Sequence, residues 1–200
     1  MSETRSWQQS LHLLQKGNLR FAQQKMKKIL HHDLAELVQG QQPYAVILSC
    51  SDSRVSPDII FDCSLGDLFI IQNAGNICDA SVLGSIQYAV QVLKIPLIAV
   101  IGHTECGAVS AAHGNADLSG PLQQLVSQIQ PHLLQGKVIH SIEHHAVQTA
   151  KTIEQALQPH QAKIEPEVNI IAGLYHLDSG LVEWLNGVGL NAEILQKQAG

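Results

Sequence analysis

Charge is scarce in this chain. Acidic and basic side chains make up 14% of its 200 residues, against about 25% in ordinary globular proteins. So thinly charged a surface suits a protein whose outer faces are partly covered by further copies of itself. The basic residues are in the minority, 12 against 17 acids for a net charge of −5, so the electrostatic footprint of nucleic-acid binding is missing. Long apolar runs are missing too. The longest, Ile95 to Ile101, falls far short of the ~20 residues that span a bilayer, and no membrane partner is expected. The opening residues M-S-E-T-R-S-W-Q-Q-S lack the apolar core of a secretory leader. Four cysteines at scattered spacings do not make a disulfide framework. No repeat, low-complexity segment or linker interrupts the chain. These absences predict one domain over residues 1–200, reduced and cytoplasmic.

What the chain does have is concentrated in Ala45 to Arg54, A-V-I-L-S-C-S-D-S-R. Its first half is a continuous apolar run suited to a strand buried on both faces of a parallel sheet. Its second half places a thiol, a carboxylate and a guanidinium at alternate positions: Cys50, Asp52 and Arg54. Around it, apolar steps of three and four predict helix over residues 6–38, broken at Gly17-Asn18. Ser56-Pro57 reads as a helix start. Strands are expected at Asp67–Ile71, Leu97–Ile101 and Val168–Ala172, with a helix over Asp79–Lys94 and a short one over Gly107–His113. Two or three helices are expected between Leu118 and Pro159, split near Pro131 and Gly136. Tyr175–Leu185 reads as a turn at Asp178-Ser179-Gly180 into an antiparallel edge strand. Strands alternating with helices predict an α/β fold: a mostly parallel central sheet of order 2-1-3-4 plus that edge strand, flanked by helices, with an amino-terminal helical arm.

In a sheet of that order the first and third strands are neighbours, and sites form beyond their carboxyl ends. Cys50 ends the first strand; His103 and Cys106 follow the third as H-x-x-C. Two thiols and an imidazole suit zinc, and three protein ligands leave a fourth position open, as in a catalytic site. Two core cysteines beside a hydrogen-bonded histidine would give the same spacing. Asp52 and Arg54 weigh towards chemistry: a carboxylate beside a metal can orient water or bind the ion, and the guanidinium keeps it ionised and in place. An ion pair capping the sheet is the structural alternative.

Cys50-Ser51-Asp52-Ser53-Arg54-Val55 together with Gly102-His103-Thr104-Glu105-Cys106-Gly107 resembles the β-class carbonic anhydrases. Gly17-Asn18-Leu19-Arg20-Phe21, Gly40-Gln41-Gln42-Pro43, Asn73-Ala74-Gly75-Asn76 and Gly173-Leu174-Tyr175 match motifs of that family in place and order. The resemblance implies reversible hydration of CO2 to bicarbonate and a proton by hydroxide on one Zn2+ per chain, held by Cys50, His103 and Cys106. It implies an Asp52–Arg54 dyad, with Asp52 as a fourth zinc ligand in a closed state and released from the metal in the active one. Gln41 and the Gly107 N–H resemble the groups that position substrate and product oxygens. Phe69, Ala74 and Tyr88 fall where the family builds its apolar CO2 pocket, partly from a partner subunit. A homodimer or larger homo-oligomer follows, with residues 1–40 as an arm on the partner. Thiolates donate more charge than imidazoles, so the water's pKa should lie somewhat above the ~7 for which carbonic anhydrase is itself the reference case. The same chemistry would serve a hydrolase of a CO2 analogue (CS2 or COS), and the same fold a zinc-stabilised scaffold without catalysis.

The chain departs from the family's pattern in three places. Gln72 stands where arginine is usual, and Ile47 where one subclass has tryptophan; both argue against that subclass's bicarbonate switch. His144-His145 stands where asparagine is more frequent. His140-Ser141-Ile142-Glu143-His144 spells the inverted zinc-protease motif H-x-x-E-H, but in a chain with 11 histidines it is read as a helix face. Cys63 and Cys78 have no metal-type spacing and read as packing residues.

Overall fold

The computed structural model describes residues 5–27, 37–114, 118–159 and 164–188. Five strands form one sheet in the order β2-β1-β3-β4-β5. They are β1 (Ala45–Cys50), β2 (Leu68–Asn73), β3 (Leu97–His103), β4 (Asn169–Tyr175) and β5 (Val182–Leu185). The first four run parallel, and β5 closes one edge antiparallel to β4. This is the predicted sheet, with β2, β3 and β4 each running two or three residues further towards the carboxyl end than the apolar pattern suggested. Gln72 and Asn73, beyond the predicted strand end at Ile71, are paired with Ser49 and Cys50.

Every residue of β1, β3 and β4 is buried, because helices cover both faces. Val46, Leu48, Ile98, Val100, Ile170 and Ala172 pack against α3 (Ala80–Gln91) and α6 (Val138–Leu157). The alternate residues Ala45, Ile47, Leu97, Ala99, Ile101 and Ile171 face α1 (Trp7–Ala22) and α2 (Pro57–Ile60). The helices α4 (Gly107–His113) and α5 (Gly120–Ile129) lie over the carboxyl ends of the strands, in a third cluster that contains Cys50 and Cys106.

Gly17-Asn18 does not break the first helix; both lie inside α1 and are buried. A Cβ on Gly17 would stand 1.8 Å from the Phe61 carbonyl oxygen, so the missing side chain is what lets α1 dock. Asn18 then donates to the carbonyls of Ile60 (3.3 Å) and Gly180 (2.8 Å) and accepts from the Val182 N–H (2.8 Å). Propensity sees two poor helix formers; tertiary contact needs both. The face of α1 carrying Trp7, Leu11 and Leu14 is taken up by its own sheet, so a partner could meet only the opposite face, where Leu13 and Leu19 are exposed. Leu30 and Leu34, from the predicted second half of that helical stretch, lie outside the described residues. Among the described residues no helix is long and apolar enough to cross a membrane.

Candidate metal centre

Because β1 and β3 are adjacent and parallel, their last residues emerge side by side. Those residues are Cys50 and His103. A three-residue loop with Glu105 in the left-handed region (φ 59°) returns the chain so that Cys106 caps α4. The Sγ atoms of Cys50 and Cys106 and a ring nitrogen of His103 all lie within 4.8 Å of one another, and all three residues are buried. It is the one such group of three among the described residues.

Their surroundings fit a metal. His103 Nδ1 lies 2.9 Å from the Thr104 carbonyl. A carbonyl only accepts, so Nδ1 carries the hydrogen and Nε2 presents its lone pair. That Nε2 is buried with no hydrogen-bond partner, which is costly unless something electrophilic takes it. Cys106 beside it draws the Cys50 thiol well below its ordinary range, helped by His103 and by the Gly75 N–H. Cys106 is itself pushed far up by Cys50 and by burial. With Cys50 favouring the thiolate and Cys106 the thiol, a dication held by both sulfurs would displace the remaining proton. The donor set and the orphaned nitrogen suit zinc.

Asp52 stands beside this group and outside it. Its Oδ2 is 4.0 Å from His103 Nε2. Arg54 grips it at two points, Nε to Oδ1 at 2.9 Å and Nη2 to Oδ2 at 2.8 Å. The Arg54 backbone N–H adds 3.0 Å to Oδ1. The Arg54 guanidinium holds the Asp52 carboxyl far below the usual carboxylate range. The turn is fastened from beneath by Gln72, whose amide donates to the carbonyls of Cys50 and Val55, each at 3.1 Å. So Gln72 ties β2 to the loop that presents Asp52. Sequence alone marked the departure but not this contact, since it joins residues 17 and 22 apart.

The residues expected to line a substrate pocket divide in two. Ala74 opens the short turn Ala74–Asn76 at the end of β2, next to the Gly75 N–H that donates to Cys50 Sγ at 3.4 Å. Gly107 follows Cys106 at the start of α4. Both are at the centre. Phe69, Tyr88 and Gln41 are not brought there within one chain. Phe69 pairs with Val46 in register, whereas Asn73 pairs with Cys50; four residues of strand amount to about 13 Å. Tyr88 meets Phe69, with ring centroids 6.3 Å apart, and is 47% exposed. Gln41 is exposed and lies four residues before β1 begins at its amino end, whereas Cys50 is the last residue of that strand.

Residues set aside in the sequence behave accordingly. His144 of the H-x-x-E-H match donates from Nδ1 to the His132 carbonyl (2.8 Å) and does not join a metal-type group with His140 among the described residues. Burial raises the thiols of Cys63, to about 12, and Cys78, to about 11.

The carbonic anhydrase family profile matches residues 45–182, the span from the start of β1 to the first residue of β5. A curated carbonic anhydrase of Mycolicibacterium smegmatis is 39% identical over 172 residues, covering 80% of this chain and 83% of its own. Among solved structures, a β-carbonic anhydrase of Aspergillus fumigatus superposes with a TM-score of 0.69 at 26% identity, over 83% of this chain and 85% of that one. Two tetrameric β-carbonic anhydrases of Sordaria macrospora were solved together; the matching chain shares the fold, with a TM-score of 0.68 at 22% identity, over 90% of this chain and 98% of that one. A parallel sheet that brings Cys50, His103 and Cys106 together at its carboxyl edge, a profile spanning that sheet and a relative alike along most of both lengths agree with one another: the chain belongs to the carbonic anhydrases, and within them to the β class.

Proposed function

We propose that this chain reversibly hydrates CO2 to bicarbonate and a proton, with one Zn2+ per chain held by Cys50, His103 and Cys106. The observation that carries the reading is the pairing of a buried cluster of two cysteine sulfurs and a histidine nitrogen with a carboxylate gripped at two points by a guanidinium alongside. Zinc bound there would supply a nucleophile at neutral pH by acidifying water. Asp52 would accept a hydrogen bond from the attacking oxygen and so leave that oxygen's lone pair facing the carbon of CO2. Arg54 keeps that acceptor ionised and holds it away from the sulfurs and imidazole; in a closed state Asp52 would leave this two-point grip and become a further ligand. The N–H of Gly107, exposed at the start of α4, steadies a product oxygen, and Ala74 forms part of the dry wall that an apolar substrate needs.

The remaining wall comes from a second copy. Phe69, Tyr88 and Gln41 sit too far from their own Cys50 to line its pocket, and Tyr88 and Val92 are exposed apolar groups at the end of α3. A homodimer, or a tetramer like those of Sordaria macrospora, would set them against the partner's centre, with residues 1–40 as an arm across the interface. The compartment is the reducing cytoplasm, where all four cysteines stay free and two can serve as thiolate ligands.

Stopped-flow CO2 hydration with a pH indicator, from about pH 6.5 to about 9 on protein of known zinc content, tests the proposal. Rapid turnover at about one zinc per chain is expected. Full zinc without turnover would refute it, and hydrolysis of CS2 or COS by the same sample would identify the analogue hydrolase. Asp52→Ala should keep zinc and fold while losing most activity; undiminished turnover would remove the role given to Asp52.

A further inference from the structure

His145 lies on α6 and is 1% exposed. Its Nε2 is 2.7 Å from the Gly75 carbonyl oxygen, so Nε2 carries the hydrogen and Nδ1 a bare lone pair. That lone pair is 2.8 Å from His132 Nδ1, which must therefore donate. The His132 carbonyl in turn accepts from His144 Nδ1 at 2.8 Å, and His144 Nε2 accepts from the Gln148 amide at 3.0 Å. One set of neutral tautomers satisfies every contact, all directed towards Gly75.

Gly75 is the residue whose N–H meets Cys50 Sγ. It has no freedom to wander: its φ is +76°, and a Cβ there would meet Ile129 Cδ1 at 2.8 Å and the Ala108 Cβ at 3.0 Å. Asn73 closes the turn around it, accepting from the Ile77 N–H (2.8 Å) and donating to the Ile77 carbonyl (2.9 Å). The histidine chain ends on a backbone carbonyl, so it cannot carry a proton to or from the centre. What it can do is hold a peptide still.

We propose that His145, oriented by His132, is a positioning residue for the metal centre: it fixes Gly75 so that the Gly75 N–H stays on the Cys50 sulfur and keeps that thiolate aimed at the metal. The inference rests on Cys50 being a metal ligand. Partners of this outer kind are worth about 10- to 100-fold in metal affinity, and an N–H on a thiolate withdraws charge from it.

The test is cobalt substitution and zinc release to a chelator, on the full chain. The wild type should show a thiolate-to-cobalt charge-transfer band. In His145→Leu that band should move to lower energy, and zinc should leave about tenfold faster. His145→Gln puts an amide nitrogen near the position of Nε2 and should restore both; His145→Asn, too short to reach Gly75, should not. An unmoved band and wild-type zinc release in folded His145→Leu would overturn the proposal. Where the leucine variant does not fold, the Gln–Asn pair decides, and equal behaviour of the two overturns it. A wild type with no thiolate–cobalt band would overturn the metal reading itself, and this inference with it.

Discussion

Gly75→Ala tests the centre through its backbone. The residue sits at φ +76°, where an L side chain costs about 1–2 kcal/mol. The new methyl would press on Ile129 Cδ1 at 2.8 Å and the Ala108 Cβ at 3.0 Å. Ile129 is fully buried, so its δ-methyl has no open space to move into, and such overpacking costs about 1–3 kcal/mol. Alanine also stiffens the unfolded chain, which returns about 0.4–1 kcal/mol. The balance is a loss of roughly 1–5 kcal/mol, delivered at the turn that donates to the Cys50 sulfur. Urea unfolding at fixed protein concentration and zinc loading reads the stability, and chelator competition reads the metal. Gly84→Ala is the control: it lies in α3 with nothing within 4 Å of its added Cβ, so it should gain roughly 0.5–1 kcal/mol from helix propensity. A Gly75→Ala protein within about 0.5 kcal/mol of wild type, with unchanged zinc retention, would refute the reasoning.

Cys106→Ser should leave well under a tenth of the wild-type zinc by elemental analysis, since serine is a poor zinc ligand; unchanged content would contradict the ligand set. Burial lowers the His145 imidazole to about 4, with His132 and His144 adding to the effect. The folded state therefore favours neutral His145: its contribution is complete above the unfolded value near 6.5 and is lost as pH falls through about 4, up to roughly 3 kcal/mol. Urea midpoints between those two pH values should fall for the wild type and stay flatter for His145→Gln; parallel curves would show that this imidazole does not titrate on unfolding. Asn18→Ala would strand the Val182 N–H and the carbonyls of Ile60 and Gly180, a loss of roughly 2–4 kcal/mol by urea unfolding; a change below about 1 kcal/mol would mean that water replaces the amide there.

The sequence by itself determined the sheet and what stands at its carboxyl edge. Apolar runs such as Ala45–Leu48 and Leu97–Ile101 can be satisfied only by burial on both faces, and parallel connection then forces Cys50 and His103 to neighbouring strand ends. Those are consequences of local pattern and of connection rules, and they are readable without coordinates. The Asp52–Arg54 pairing is local too, two residues apart. Tertiary structure alone decided the rest. Gly17-Asn18 reads as a helix break until Phe61, Ile60 and Gly180 are seen to need a bare Cα and an amide at that place. Gln72 reads as the loss of a charge until its amide is found beneath Cys50 and Val55. His145 reads as one of 11 histidines until its ring is found 2.7 Å from Gly75, 70 residues away. Phe69 and Tyr88 find each other but not their own Cys50, because strand register sets Phe69 four residues below it and Tyr88 packs on Phe69. Contacts between residues distant in sequence have no period and no spacing rule; they exist only once the chain has folded and each buried polar group has had to find a partner.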